Sequence, residues 1–207
     1  MLKNQFAIAP LSILIFLTSS CLVAGQIKRS GSCRTDIKHL PKVDLKRLEG
    51  SWYLRTRYPY KNDHEYRCQK TDYTLAPNNE YIVEYSEIKE DDQSINFRTG
   101  RLIFLEDGQF KIKYDDVDDF SINYRILSIV YDQYVIIYAC KNLPECNHEE
   151  YLWIYTRNHK LNTKDLIAYT APLCEQNINP NLLQGTIQEN CANYDTSVQQ
   201  QRKKPRR

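Results

Sequence analysis

The sequence predicts an all-β protein: an eight-stranded up-and-down antiparallel β-barrel with one C-terminal α-helix packed outside it. Two observations lead to this fold class. Eight short runs alternate apolar and polar residues between turn residues, and a single helical stretch follows the last run. A β-sandwich would normally need longer crossover connections than these turns provide. Eight strands is also the size at which a barrel can hold one small ligand.

Short turns separate the predicted strands. Pro77-Asn78-Asn79 follows the second strand, Asp91-Asp92-Gln93 follows the third, and Asp107-Gly108 is a hairpin signal before the fifth. The clearest alternation is in Phe110–Tyr114, which is apolar on one face and cationic on the other. In chain order, the predicted strands are Ser51–Tyr58, Gln69–Leu75, Tyr81–Ile88, Ser94–Phe104, Phe110–Tyr114, Ser121–Val130, Tyr134–Cys140 and Tyr151–Arg157.

The pattern changes after the eighth strand. Asn162 or Thr163 can cap a helix over Lys164–Cys174. Pro172 lies inside that span and is expected to kink or shorten the helix. Gly185–Glu189 predicts a short final strand.

Residues 1–25 are predicted to be a secretory signal peptide. Lys3 supplies the positive start, Ala7–Leu17 is the apolar stretch, and Val23-Ala24-Gly25 offers small residues for cleavage. The apolar stretch is shorter than the roughly 20 residues that a transmembrane helix needs. A lipid anchor at Cys21 is the remaining alternative. The signal peptide predicts a secreted, extracellular protein.

Residues 26–195 are predicted to form one barrel domain and residues 196–207 a disordered basic tail. The chain has 28 basic and 26 acidic residues. Removing Lys3 and five basic residues of the tail leaves 22 against 26, so the basicity belongs to the tail. The tail could contact a membrane surface or a heparin-like polymer, and nothing in the chain suggests nucleic-acid binding. The five basic tail residues are Arg202, Lys203, Lys204, Arg206 and Arg207.

Cysteine content predicts disulfides and no metal site. Once the signal peptide with Cys21 is removed, six cysteines remain. An even number in an oxidising compartment favours three disulfides, with several pairings open. Only Cys146 and His148 lie near zinc-ligand spacing, so neither a metal nor a cofactor is expected. The six cysteines that follow the signal peptide are Cys33, Cys68, Cys140, Cys146, Cys174 and Cys191.

Three separated segments together resemble the signatures of the lipocalin family, and the chain is most similar to its apolipoprotein D-like and insect bilin-binding members. The segments are Gly50-Ser51-Trp52-Tyr53, Tyr131–Cys140 and Trp153–Asn158. The resemblance implies that the chain turns at Gly50, that Trp52 enters the closed end of the barrel, and that Arg157 lies across the indole face.

The resemblance also implies two of the disulfides. They are Cys33–Cys140, which ties the N-terminal segment to the seventh predicted strand, and Cys68–Cys191, which ties the C-terminal segment to the barrel. Cys146 and Cys174 then remain, and a third disulfide is expected between them.

Strand alternation, set by the expected orientations of Arg157 and Cys140, predicts which residues point into the barrel. The predicted lining is apolar and aromatic with scattered phenol hydroxyls, which suits a small and largely hydrophobic ligand. The predicted ligand-binding residues are Leu54, Tyr85, Phe97, Phe110, Tyr124, Val135, Ile137, Trp153 and Tyr155.

The leading functional hypothesis is a secreted carrier of a fatty acid, sterol, retinoid or bilin. The alternative is an extracellular interaction protein that binds a protein or polysaccharide through the tail and through loop residues such as Tyr58, Tyr60 and Tyr66. An enzyme is not expected, because no nucleophile–base pair is evident and an even number of paired cysteines leaves no free thiol. The oligomeric state stays open.

Overall fold

The computed structural model describes residues 27–59, 66–105, 107–116, 122–159 and 163–191. The predicted signal peptide and basic tail lie outside these residues. Within them, eight consecutive antiparallel strands pair each with the next, and the last pairs back with the first, which closes a barrel. One helix packs on its outer surface. The predicted fold class is therefore confirmed.

The barrel consists of the eight strands from β2 to β9, and β1 and β10 are short additions at its seam. A single turn of 3-10 helix at Pro180–Leu182 connects the outer helix to β10. The elements are β1 (Ile27–Ser30), α1 (Leu45–Leu48), β2 (Gly50–Arg57), β3 (Tyr66–Leu75), β4 (Tyr81–Lys89), β5 (Ile95–Phe104), β6 (Phe110–Tyr114), β7 (Tyr124–Val130), β8 (Tyr134–Leu143), β9 (Asn147–Thr156), α2 (Thr163–Cys174) and β10 (Gln184–Gly185).

The two added strands cover edges that β2 leaves open. β2 pairs with β3 only as far as Tyr53, and β10 pairs with β2 further along, at Thr56 and Arg57. β1 pairs with β9 over Ile27–Ser30. Unpaired strand edges carry free N–H and C=O groups, so these additions satisfy part of the seam. The sequence did not predict β1, and it placed the final strand at Gly185–Glu189, later than the two-residue β10.

The chain after β10 bridges β2 and β3 where the two strands separate. The side-chain amide of Gln188 donates to the carbonyls of Leu54 at 2.9 Å and Gln69 at 2.8 Å. The segment then ends in the Cys68–Cys191 disulfide. An inserted side chain thus replaces the missing ladder bonds at this point of the barrel wall.

Helix α2 covers the outer face of β7, β8 and β9. Its contact face includes Tyr169 and Leu173, which is fully buried, and the Tyr169 ring packs tilted against that of Tyr134 with ring centroids 4.4 Å apart. The helix runs through Pro172 and ends two residues later. The expected shortening does not occur, because a proline in the last turn removes little of the helical hydrogen bonding.

The disulfides Cys33–Cys140 and Cys68–Cys191 are both present, and they close loops of 107 and 123 residues. In the chain-entropy model, each could stabilise the fold by about 4–5 kcal/mol.

The expected Cys146–Cys174 disulfide is wrong, since both cysteines are free and exposed. They lie against different parts of the N-terminal segment. The Cys146 carbonyl, in the β8–β9 turn, accepts from the Gly31 N–H at 2.6 Å, whereas Gln176, just after Cys174, accepts from the Lys38 N–H at 2.7 Å. Counting cysteines could not detect this separation.

Candidate ligand-binding site

The closed end of the barrel is built around Trp52, which is fully buried. The guanidinium carbon of Arg157 lies 3.8 Å from the indole centroid, and such a contact contributes about 0.5–2 kcal/mol. Gly50 has a φ of +94°, and a Cβ at this position would lie 3.1 Å from Arg157 Nη1. Backbone conformation and space therefore both favour glycine here.

Arg157 also ties three chain segments together below the indole. Its Nε donates to the carbonyl of Tyr131 at 2.9 Å, and its two Nη atoms donate to the carbonyls of Ser51 at 3.0 Å and Arg47 at 2.9 Å. Burial lowers the pKa of Arg157 below its ordinary value. These bonds use its donors on backbone carbonyls, so Arg157 has a structural role.

The short helix α1 packs against Trp52 and helps to seal this end. The indole N–H donates to the Leu48 carbonyl at 2.8 Å, and the Leu48 side chain is buried in the same cluster. Asp44 caps the helix by accepting from the Lys46 N–H at 3.1 Å. The sequence did not predict α1, although an aspartate before two leucines three residues apart, Leu45 and Leu48, is a capping signal.

A row of aromatic rings crosses the inner wall from the closed end toward the open end. Successive ring centroids lie 5.3–5.9 Å apart, within the range of favourable aromatic pairs. The row consists of Phe104, Phe110, Tyr124, Trp153 and Tyr151.

The structure places eight of the nine predicted ligand-binding residues on the inner face. Six belong to one cluster with Trp52. Leu54 on β2 lies opposite the inward Tyr155 on β9. Tyr85 on β4 lies opposite Thr71 on β3, and Thr71 forms a side-chain hydrogen bond with Tyr155. Their contact with a ligand stays a prediction. The six residues in the cluster are Phe110, Tyr124, Val135, Ile137, Trp153 and Tyr155.

The prediction that Phe97 points inward is wrong. Phe97 packs outside the barrel against Ile88 and the Cys68–Cys191 disulfide. The C-terminal segment covers this part of the outer wall, so an apolar side chain is favourable on the outer face. Apolar parity alone could not distinguish the two faces.

Asn96, which precedes Phe97 on β5, points inward instead and meets polar side chains on β3 and β4. We name the group of Gln69, Tyr85, Glu87 and Asn96 the Glu87 cluster. The Glu87 carboxylate accepts from Gln69 Nε2 at 2.9 Å, from the Tyr85 hydroxyl at 2.5 Å and from Asn96 Nδ2 at 2.8 Å. Glu87 is 6% exposed and Gln69 1%. The sequence did not predict Glu87 as a site residue, although Glu87 continues the inward series that contains Val83 and Tyr85.

Positive charge lies close to this cluster. Arg57 is buried and lies opposite the inward Trp153 in the β2–β9 register. Its positive charge lowers the pKa values of Tyr85 and Tyr155 and so opposes the effect of burial on them. Burial is the main cause that raises both tyrosine pKa values, and the Glu87 charge adds to the rise. The phenols therefore stay protonated at neutral pH.

Nearer the open end, Arg98 lies over the Tyr114 ring at 4.3 Å and bonds Asp116. Burial raises the pKa of Tyr114 and raises that of Tyr124 to about 12. The interior is therefore divided into an apolar, aromatic lower part and a polar upper part. Of the upper part, the sequence predicted Tyr85 but not its polar partners Gln69 and Glu87.

The inner aromatic side chains are not fully packed. Tyr85, Tyr124, Trp153 and Tyr155 are only partly buried, whereas the outward Tyr138 is fully buried. In the described part of the chain, the protein's own aromatics leave accessible surface inside the barrel.

Other predicted roles have less support from the geometry. Tyr58, proposed as a loop contact in the interaction hypothesis, is 4% exposed, and its hydroxyl donates to the Asn179 carbonyl at 3.1 Å. Tyr66 is partly buried, and Tyr60 lies outside the described residues. Cys146 and Cys174 are free, contrary to the expectation that no thiol is; Cys146 lies in the β8–β9 turn and Cys174 at the end of α2.

The residues that the structure describes contain no group of three or more His, Cys, Asp or Glu side chains arranged to hold a metal ion. None of the helices among them is long and apolar enough to cross a membrane.

Comparison with known proteins identifies similar chains. A family model described as a lipocalin-like domain matches residues 43–188. Apolipoprotein D of Macaca fascicularis is 25% identical over 172 residues, which cover 82% of this chain and 89% of that protein. Insecticyanin-B of Manduca sexta is 24% identical over 159 residues, which cover 70% and 73%.

Solved structures share the fold. Lobster apocrustacyanin A1 matches with a TM-score of 0.65 at 19% identity, covering 82% of this chain and 95% of that one. Insecticyanin from the tobacco hornworm Manduca sexta matches with a TM-score of 0.64 at 19% identity, covering 78% and 89%. The family model spans the floor around Trp52, every barrel strand and the bridge at Gln188. The chain therefore belongs to the lipocalin family.

Proposed function

We propose that this protein is a secreted carrier that transports or sequesters a small, mainly hydrophobic ligand inside the barrel. The observation that carries the proposal is the partly exposed aromatic inner wall above the closed end. Burying apolar surface contributes about 25 cal/mol to the binding free energy for each Å² that the ligand covers. Fatty acids, sterols, retinoids and bilins are the ligand classes with suitable size and polarity.

The rigid lower end supports this function. The protein's own contacts hold Trp52 between Arg157 and α1, so the apolar end of the site is formed in advance. A preformed site loses less conformational entropy when it binds. Membership of the lipocalin family supports the same conclusion.

Secretion is part of the proposal. It is supported by the predicted signal peptide, residues 1–25, and by the disulfides Cys33–Cys140 and Cys68–Cys191, since such bonds persist in oxidising compartments. Expression of the full chain in a eukaryotic secretory host should release protein into the medium that begins at Gln26. Retention of the whole product in the cell with residues 1–25 attached would contradict secretion.

The carrier function can be tested by native mass spectrometry of the secreted protein. We expect a complex with one small lipophilic molecule, which is lost on solvent extraction and restored by adding an extract of the source tissue. Extracted protein that binds no component of that extract would contradict the carrier proposal. A matched sample of Tyr124→Ala should bind less, because this change removes the centre of the aromatic row.

A further inference from the structure

The Glu87 cluster is an unusual feature for the wall of a hydrophobic cavity. Burying a carboxylate is unfavourable unless hydrogen bonds or opposite charges compensate for lost water. Here the three described donors to Glu87 are neutral groups on Gln69, Tyr85 and Asn96. They stabilise the carboxylate and fix its orientation.

The cluster also has spare acceptor capacity. Gln69 Oε1 is buried and has no hydrogen-bond partner, although the same amide donates through Nε2 to Glu87. A carboxylate can accept about four hydrogen bonds, and the structure gives three to Glu87. A buried acceptor without a donor is unfavourable, so a donor from a bound molecule would relieve this cost.

The position of the cluster suits the polar end of a bound molecule. Tyr85 and Tyr155 lie on the same inner wall, in the direction of the aromatic row. Asn96, on the other side of Glu87, is exposed toward the open end. A ligand whose apolar body covers the aromatic row would therefore bring its upper end to Glu87 and Gln69.

Charge favours a neutral head group over an ionic one. The positive charge of Arg57 lies near enough to affect the same tyrosines as Glu87, so the two charges partly cancel. A ligand carboxylate could only accept hydrogen bonds and would offer no donor to Gln69 Oε1. A hydroxyl group can donate without a net charge.

We propose that Gln69 and Glu87 form a specificity site for a hydroxyl group at the polar end of an otherwise apolar ligand. This inference rests on the proposed carrier function and narrows it to lipophilic alcohols. It also assigns Gln69 and Glu87 as residues that distinguish an alcohol from an acid or an ether with the same apolar body.

The test compares 1-dodecanol, dodecyl methyl ether, dodecanoic acid and dodecylamine as probes of the extracted, full mature protein by titration calorimetry. We expect the alcohol to bind at least tenfold more tightly than the ether and the acid. Equal binding of all four probes, or tenfold tighter binding of the amine or acid than of the alcohol, would overturn the hydroxyl site. If none of the four binds, and no lipid extract binds either, the carrier proposal itself fails.

Variants locate the preference within the barrel. Gln69→Met removes the unpaired acceptor and should reduce the preference for alcohol over ether to less than threefold. Ser86→Ala is the matched control, because Ser86 lies next to Glu87 on β4 and faces outward. A tenfold preference that survives in folded Gln69→Met contradicts the assignment. The comparison of probes on the unsubstituted protein decides the proposal even if that variant does not fold.

Discussion

The outer and inner faces of β8 and β9 carry similar residues in different surroundings. On the outer face, Tyr138 and Ile154 are fully buried beneath α2 and the segments around it. On the inner face, Trp153 and Tyr155 of β9 keep accessible surface. The chain itself completes the outer core, whereas the inner face of β9 stays partly exposed beside the buried Val135 and Ile137 of β8. This difference indicates that the outer face provides stability and that the inner face is available for binding.

The largest effect should come from opening the outer core. We expect Leu152→Ala to lower the free energy of unfolding by about 2–5 kcal/mol, because Leu152 is 1% exposed and its loss leaves a cavity. Trp153→Leu, on the next residue and the opposite face, should cost less than about 2 kcal/mol in the absence of ligand. Urea unfolding monitored by far-ultraviolet circular dichroism measures both. Equal losses of unfolding free energy in the two variants would contradict the proposed difference between the outer and inner faces.

Alkaline pH offers a second comparison. Burial raises the pKa of the outer Tyr58 and the inner Tyr124 from 10.0 to about 12. The unfolded chain therefore loses these phenol protons first, so stability should hold below pH 10 and fall as the pH rises from about 10 to about 12. A ligand in the barrel should raise the pKa of Tyr124 further and leave that of Tyr58 unchanged.

Difference titrations of phenolate absorbance, using Tyr58→Phe and Tyr124→Phe to assign the two groups, check this expectation. Titration of Tyr124 near pH 10 in the folded protein would show that its phenol on the inner wall is fully exposed to solvent. A ligand-induced shift of Tyr58 instead of Tyr124 would place the ligand on the outer face.

The smallest effect concerns the exposed cysteines. We expect Cys146→Ser with Cys174→Ser to change the free energy of unfolding by less than about 0.5 kcal/mol, as is usual for exposed positions without partners in a network. Alkylation of the unreduced protein followed by mass spectrometry should label both thiols. Absence of label, with a peptide that joins Cys146 to Cys174, would restore the third disulfide.

The sequence predicted the barrel well because alternation, turn residues and the three lipocalin-like segments all point to the same architecture. The contact of Trp52 with Arg157 could be anticipated because both residues lie in those segments. Phe97 could not be placed, since a covered outer wall accepts apolar side chains as readily as an inner wall does. The separation of Cys146 and Cys174 likewise could not be foreseen, because the two cysteines lie beside different parts of the N-terminal segment. No local pattern in the sequence encodes the path of that segment.

The polar upper part of the barrel was harder to foresee for a different reason. Glu87 has inward parity, but an isolated glutamate at the end of a strand is usually solvated. Its role becomes visible only when Gln69 on β3 and Asn96 on β5 are brought to the same carboxylate. Contacts between neighbouring strands, set by register, therefore determine this part of the site.

The most direct test of a binding inner face uses the two tryptophans of the chain. Trp52 is fully buried in the floor, whereas Trp153 lies in the aromatic row. Titration with a brominated fatty alcohol, which quenches indole only at contact distance, should reduce the emission of the unsubstituted protein. In Trp153→Phe, we expect most of this quenching to disappear while the fold, measured by circular dichroism, is kept. Undiminished quenching in Trp153→Phe, or none in the unsubstituted protein with any lipophilic ligand, would show that the inner face does not bind the ligand.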